Sequence, residues 1–166
     1  MATRLILQRE LREDTWRVLA ADDAPAPPDL DLLLTLPQWQ ARRSEWLARA
    51  TGRLGVRLEP AEAPEVLQPD LERLALVAVN FPSFTDGRGY STARLLRERM
   101  GFRAELRAVG DVFRDQLFYL SRVGFDAFLL REGESAEQAL ASLDVFSEAY
   151  QVSVERPQPL FRRRLA

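Results

Sequence analysis

Leu74-Ala-Leu-Val-Ala-Val-Asn-Phe81 decides the fold. The run is apolar almost throughout, as a strand reads when helices cover both faces of a parallel sheet. Working outward, further short apolar runs alternate with helical patterns. On the N-terminal side, Leu32-Leu33-Leu34 is a buried strand, and Pro37 opens a helix through about Ala50, because proline suits a first helical turn. Gly52 stops that helix, and Leu54-Gly-Val-Arg-Leu58 is the next strand. The stretch 60–70 contains Pro60, Pro64 and Pro69 and predicts a loop with at most one helical turn.

On the C-terminal side, the loop Pro82–Tyr90 leads to a helix from about Ser91 to Met100, stopped by Gly101. Ala104–Val109 is a strand. Gly110-Asp111 starts another helix with Asp111 as N-cap, and Phe113, Leu117, Leu120 and Val123 fall at spacings of three and four before Gly124. Phe125–Leu130 is the last strand. Ser135 and Gln138 form a capping box for a final helix with Leu140, Leu143 and Phe146 on its apolar face.

Strands separated by helical patterns of roughly 10–15 residues imply right-handed βαβ units. The expected class is α/β: a small parallel sheet of about five βα units, either an open sheet or a partial β/α barrel. Residues 1–20 read as a preceding β-hairpin, with Leu5-Ile6-Leu7 and Thr15–Leu19 as strands around a polar Arg12-Glu13-Asp14 turn. Residues 21–29 form a Pro-rich joint, 30–150 the α/β domain, and 151–166 a C-terminal tail ending in Phe161-Arg162-Arg163-Arg164-Leu165-Ala166.

The chain has 166 residues, 46% hydrophobic and 29% charged, with net charge −2. That is an ordinary globular composition for one domain, without the positive excess that marks nucleic-acid binding. There is no cysteine and no histidine, and all 23 basic residues are arginine. Disulfides, thiolate metal sites, imidazole bases and lysine Schiff bases are therefore excluded. No apolar run approaches the ~18 residues of a spanning helix, and the start is too short in apolar residues for a secretory signal. The expectation is a cytoplasmic protein with no membrane or nucleic-acid partner.

In a parallel sheet, ligands bind at loops beyond the carboxyl ends of the strands. The richest such loop is Thr85-Asp86-Gly87-Arg88-Gly89-Tyr90-Ser91. Its two glycines let the backbone approach a ligand, and Arg88 and Arg94 add a bidentate grip on an anion. The plainer alternative is a tight turn needing positive φ, with Asp86 bonded to its own backbone. Glu105 and Arg107 share a face of the next strand, where they pair with each other or a neighbour. Asp111 and Asp115 share a helix face as paired carboxylates, or serve as a cap plus an exposed acid. Asp126 reads as the partner of an arginine, with an inward functional residue as the alternative. The candidate anion site is thus Asp86, Gly87, Arg88, Gly89, Tyr90, Ser91, Arg94, Arg107 and Asp111, with Glu105 and Asp115 secondary; no metal site, cofactor or catalytic residue is assigned.

Phe81-Pro-Ser-Phe-Thr-Asp-Gly-Arg-Gly-Tyr-Ser91, Ala93-Arg-Leu-Leu-Arg97, Leu106-Arg-Ala-Val-Gly-Asp111, Asp115-Gln116 and Gly124-Phe-Asp-Ala-Phe128 together resemble a bacterial family, the domain of unknown function 934. The resemblance extends from about Leu32 to Tyr150. It implies a role beside assimilatory sulfite reductase in sulfate assimilation and cysteine biosynthesis, because such proteins are encoded beside those genes. It also carries the label of an oxidoreductase of sulfite reduction, which these residues do not support chemically. Three functions follow as expectations. The first is a non-catalytic accessory that binds sulfite reductase or its electron donor. The second is an enzyme or sensor taking a small anion or phosphorylated ligand. The third is an oxidoreductase holding a nucleotide cofactor. An exposed apolar patch rimmed by arginine would favour the first; convergence of Arg88, Arg94, Arg107 and Asp111 in one pocket would favour the second.

Overall fold

A computed structural model describes residues 4–20, 29–146 and 148–163. Its strands are β1 (Arg4–Leu7), β2 (Glu10–Glu13), β3 (Arg17–Val18), β4 (Leu32–Thr35), β5 (Leu54–Leu58), β6 (Leu76–Phe81), β7 (Glu105–Gly110) and β8 (Ala127–Phe128). The α-helices are α1 (Leu36–Ala41), α2 (Arg43–Leu47), α3 (Arg88–Arg94), α4 (Leu117–Arg122), α5 (Ala136–Ser142) and α6 (Leu160–Arg163).

All eight strands form one mixed sheet in the order β2-β1-β8-β7-β6-β5-β4-β3. The strands β3 to β8 are parallel and follow chain order, whereas β1 runs antiparallel to both β2 and β8. The sheet is thus larger than five units, and the hairpin is part of it. The hairpin's second strand is Glu10–Glu13, joined to β1 by a two-residue turn, Gln8-Arg9, with φ of 49° and 64°. Positive φ at both turn positions matches the twist of a hairpin. The segment expected as its second strand, Thr15–Leu19, instead supplies β3 at the other end of the sheet.

That displacement settles the choice between open sheet and barrel. In a flat sheet, β2 and β3 would lie seven strand spacings apart, roughly 34 Å. Glu13 and Arg17 are joined by Asp14, Thr15 and Trp16 alone, a path of at most about 14 Å. The sheet therefore curls until its edges approach, giving an open half-barrel.

Successive right-handed crossovers in one direction put every connection on one face. Leu32, Leu34, Val56, Leu58, Val77, Val79, Phe81, Leu106 and Ala108 pack there against Trp39, Trp46, Leu67, Leu71, Leu96, Leu117 and Leu143. Helices therefore cover one face of β6, not two as its apolar run suggested. Its other face, Leu76 and Ala78, is buried with Trp16, Leu33 and Val109 inside the curl.

Local chemistry shapes the connections. Thr35 and Gln38 form a capping box: the Thr35 amide donates to Gln38 Oε1 at 2.8 Å, and Pro37 occupies the first turn. The helix expected to reach Ala50 breaks at Arg42, and α2 ends at Leu47. The Pro-rich 60–70 region holds a 3-10 helix over Pro64–Arg73, since Pro69 forfeits only one amide donor there. The helix expected from Ser91 starts at Arg88 and widens into a π turn over Leu95–Arg99. The segment 113–123 divides into a 3-10 turn, Arg114–Gln116, and α4, capped by the Gln116 side chain, which accepts from the Phe113 amide, rather than by Asp111. The Ser135 cap holds, but Phe146 lies beyond α5 and is exposed. Most of the joint, residues 21–28, and Arg164 of the tail lie outside the described residues.

Candidate functional site

The structure spreads the expected site residues over several places. In the loop after β6, Arg88 donates through Nε and Nη2 to Asp86 at 3.0 and 2.6 Å, and its amide also bonds Asp86 Oδ1. This exposed pair holds the Asp86 carboxyl below its usual range. Gly87 and Gly89 have no positive φ, so the turn differs from the alternative in that respect, but Asp86 does bond its own backbone, at the Arg88 amide, as the alternative had it. Gly89 is instead buried in the first turn of α3, where a Cβ would lie 2.5 Å from the Phe81 ring. The glycine therefore serves helix–sheet contact. Tyr90 stacks edge-on against Phe81 at 5.7 Å, and burial pushes its phenol up despite a hydrogen bond with Gln116. Ser91 lies within α3 and Arg94 at its end, paired to Glu98 at 2.9 Å.

Arg107 lies elsewhere. It is 1% exposed, on the inner face of the half-barrel, and its register partner is Ala78. Its Nη1 donates to both oxygens of Asp14 at 3.0 Å, and its Nε donates to Glu105 Oε1 at 2.7 Å. Glu105 and Arg107 thus pair, as their spacing implied, and the further partner comes from the link that crosses the curl. Burial pushes Glu105 upward, and the Arg107 charge opposes this. Next to Arg107 across Ala78 lies Arg57, whose Nη2 is 3.0 Å from Glu59 Oε1, and Glu59 Oε2 accepts from Asn80 Nδ2 at 2.6 Å. Sequence reading missed this second charged group. A charged residue inside Leu54–Leu58 and an asparagine ending the β6 run were the available signals.

Asp111 ties loops together at the carboxyl end of the sheet. Its Oδ2 accepts from the Phe84 amide at 3.1 Å, and its Oδ1 pairs with Arg131 at 3.2 Å. Asp115, at 82% side-chain exposure, faces solvent beside Arg114, so the two aspartates do not form a site. Asp126 does pair with an arginine: Arg97 Nη2 is 3.1 Å away, and the same guanidinium donates to the carbonyls of Gly124, Phe102 and Ala104. Among the described residues, no group of His, Cys, Asp or Glu is placed to hold a metal ion.

Arg88 and Arg107 are separated by the sheet itself. Helix α3 packs with Phe81 on the helical face, and Arg107 lies on the other face. Tyr90 and Arg94 instead line a cleft of about 340 Å³ with Tyr119, Arg122 and Val152. Beside it runs an aromatic surface. Phe118 packs against Tyr119 at 5.5 Å and Phe146 at 5.0 Å, with the Arg122 guanidinium 5.6 Å above its ring. Tyr119, Phe146, Tyr150 and Val152 are all exposed, Tyr150 at 76%. An adjoining groove of about 310 Å³ is edged by Arg9, Arg122 and Arg156. Sequence reading assigned Phe146 to a core face and left Tyr119, Tyr150 and Val152 without a role.

These features define a class: a half-barrel α/β domain whose charged candidates are engaged within the chain and which exposes Tyr119 and Phe146 beside Phe118 of α4. A family profile described as "Bacterial protein of unknown function (DUF934)" matches residues 55–161. The chain belongs to that family. Comparison with curated proteins and with solved structures found no match.

Proposed function

We propose that this domain is a non-catalytic accessory protein of assimilatory sulfite reduction, acting in the cytoplasm by docking sulfite reductase or another protein of sulfate assimilation. The observation that carries this reading is the exposed surface of Tyr119 and Phe146 around Phe118, with Val152 beside Tyr119, edged by the charged residues Arg9, Arg122, Asp144, Glu155 and Arg156. A contiguous exposed apolar patch with a charged rim is the usual mark of a protein interface, and tyrosine and arginine are the residues that dominate binding there. The charged residues that would have made an anion site, Arg88, Arg94, Arg107 and Asp111, are instead paired to Asp86, Glu98, Asp14 and Arg131 in separate places. An arrangement of that kind suits support of the fold and leaves the aromatic surface as the feature without an internal purpose.

The test is size-exclusion chromatography of the purified protein with its cognate sulfite reductase, recording absorbance from the protein band into the visible. Co-elution that is lost on substituting Phe146→Glu together with Tyr119→Glu supports the reading. Separate elution, or co-elution that the double variant leaves unchanged, defeats it, and a flavin spectrum in the isolated protein would replace it with redox chemistry.

A further inference from the structure

We infer that residues 148–163 form a strap that lifts from the body of the domain as one piece, with Arg122 at the end of α4 as its latch. From Asp144 to Arg163 no described residue is buried. Tyr150, Val152 and Phe161 are 76%, 46% and 57% exposed. A segment docked for good presses apolar side chains into the core and fills the space beneath it. This one instead leaves three clefts along its seam, of about 340, 310 and 370 Å³. Each has the body on one side and residues between Ala149 and Arg156 on the other. The clefts form a row, since Arg122 lines the first and second, and Ser121 and Leu143 the second and third.

Three hydrogen bonds that hold the strap to the body converge on Arg122. Its Nη2 donates to the carbonyls of Gln151 and Val152 at 3.0 and 3.3 Å, and its own carbonyl accepts from the Val154 amide at 3.0 Å. The Phe118 ring, 5.6 Å below, steadies the guanidinium. Water replaces exposed hydrogen bonds of this kind at little net cost, and a segment with few buried apolar contacts opens at the low end of the stability scale. The strap is also bonded to itself. Arg163 Nη1 donates to Glu148 Oε2 at 2.7 Å, Arg163 Nη2 to the Ala149 carbonyl at 3.3 Å, and the Ser153 amide to the Arg156 carbonyl at 3.0 Å. With its two ends clasped, the segment moves as a unit. Lifting joins the clefts into one trough, floored by Phe125, Phe128 and Leu143, which are 1%, 2% and 3% exposed. The latch thereby sets access to the flank of Phe118. Strap opening is a property of the chain alone and holds whatever partner docks there.

Amide hydrogen exchange of the full chain, followed by NMR, tests this. Lifting as a unit frees the Val154 amide, whose acceptor is on the body, and spares the Ser153 amide, whose acceptor lies within the strap. The Val154 protection factor is expected to lie below that of Ser153 and at least a hundredfold below that of Ala139 in α5, which is bonded to the Ser135 carbonyl. Arg122→Gln keeps the carbonyl that accepts from Val154 and removes the guanidinium, so it lowers Val154 protection a further fivefold or more while Ala139 and the Tm stay unchanged. Arg122→Lys, which still donates, falls between. Because the chain has no cysteine, Ser121→Cys places a single thiol beneath the seam, at a residue 9% exposed. Its reaction with an aromatic disulfide reagent is expected to quicken at least fivefold when Arg122→Gln is added. Val154 protection equal to that of Ala139 overturns the inference, because the strap then opens only with the whole domain. Exchange and thiol reaction that Arg122→Gln leaves unaltered overturn it too. A loss of protection that spreads to Ala139, or a lower Tm, makes Arg122 a support of the fold and not a latch.

Discussion

Arg107 shows how a residue suspected of binding a ligand becomes structural once its neighbours are known. It is buried between Asp14 and Glu105, with both carboxylates drawn onto one guanidinium. Removing one member of such a buried group strands the others without compensation, typically a loss of about 3–5 kcal/mol. Arg107→Leu is therefore expected to lower stability by roughly that amount in urea titration; a loss below about 1 kcal/mol would show that the network contributes little. Glu105 adds a pH signature. Burial raises its carboxyl above the ordinary glutamate value of 4.5. Between that value and the raised one, the folded state binds more protons than the unfolded state, so this group's contribution to stability falls as pH rises through the window. Glu105→Gln removes that slope. The difference in Tm between the parent chain and Glu105→Gln should decline as pH climbs above 4.5, and a difference that stays flat or rises would refute the assignment.

Among the elements, the central strands were legible and the first hairpin was not. Leu54–Leu58, Leu76–Phe81 and Glu105–Gly110 match the apolar runs within two residues, because each sits in mid-sheet with a buried partner on either side. In the first twenty residues, two short strands were read as one hairpin with its turn at Arg12–Asp14. The turn is instead at Gln8-Arg9, which carries neither glycine nor asparagine to announce it. Both residues adopt left-handed φ at a cost that Asn-Gly would avoid. Gln8→Asn with Arg9→Gly is expected to raise stability by about 0.5–1 kcal/mol, since the Arg9–Asp144 pair it sacrifices is exposed and such pairs contribute little. Thermal unfolding of the double variant decides it: a lower Tm would mean that the turn is stabilised through Arg9. The loop glycines misled in the opposite sense. Gly89 signalled a ligand or a tight turn, but its small size serves contact with Phe81. Sequence alone does not reveal which ring a helix will approach. The candidate site fared likewise, because pairing partners such as Asp14 for Arg107 lie far apart in the chain and meet only through the curl.

For the molecule as a whole, the N-terminal hairpin and the parallel strands form one sheet, with Ile6 pairing Phe128 and Leu5 and Ile6 both buried. They should therefore melt together. Far-ultraviolet circular dichroism, which follows the helices, and tryptophan fluorescence, which includes Trp16 at the crossing, are expected to give coincident unfolding curves. An earlier fluorescence transition would show that the hairpin is an independent unit.

The three residues Asp14, Thr15 and Trp16 that bridge the two sheet edges also set an order of assembly. Beyond its own hairpin partner β2, β1 pairs only with Ala127 and Phe128 among the described residues, near the far end of the chain, so that pairing closes a very long loop. As the polypeptide leaves the ribosome, β1 is made well before β8 and cannot complete its place in the sheet until β8 has emerged. Glu10, Arg12 and Glu13 on β2 put charge along the end of the sheet, beside the hairpin, where unprotected strands would otherwise find one another.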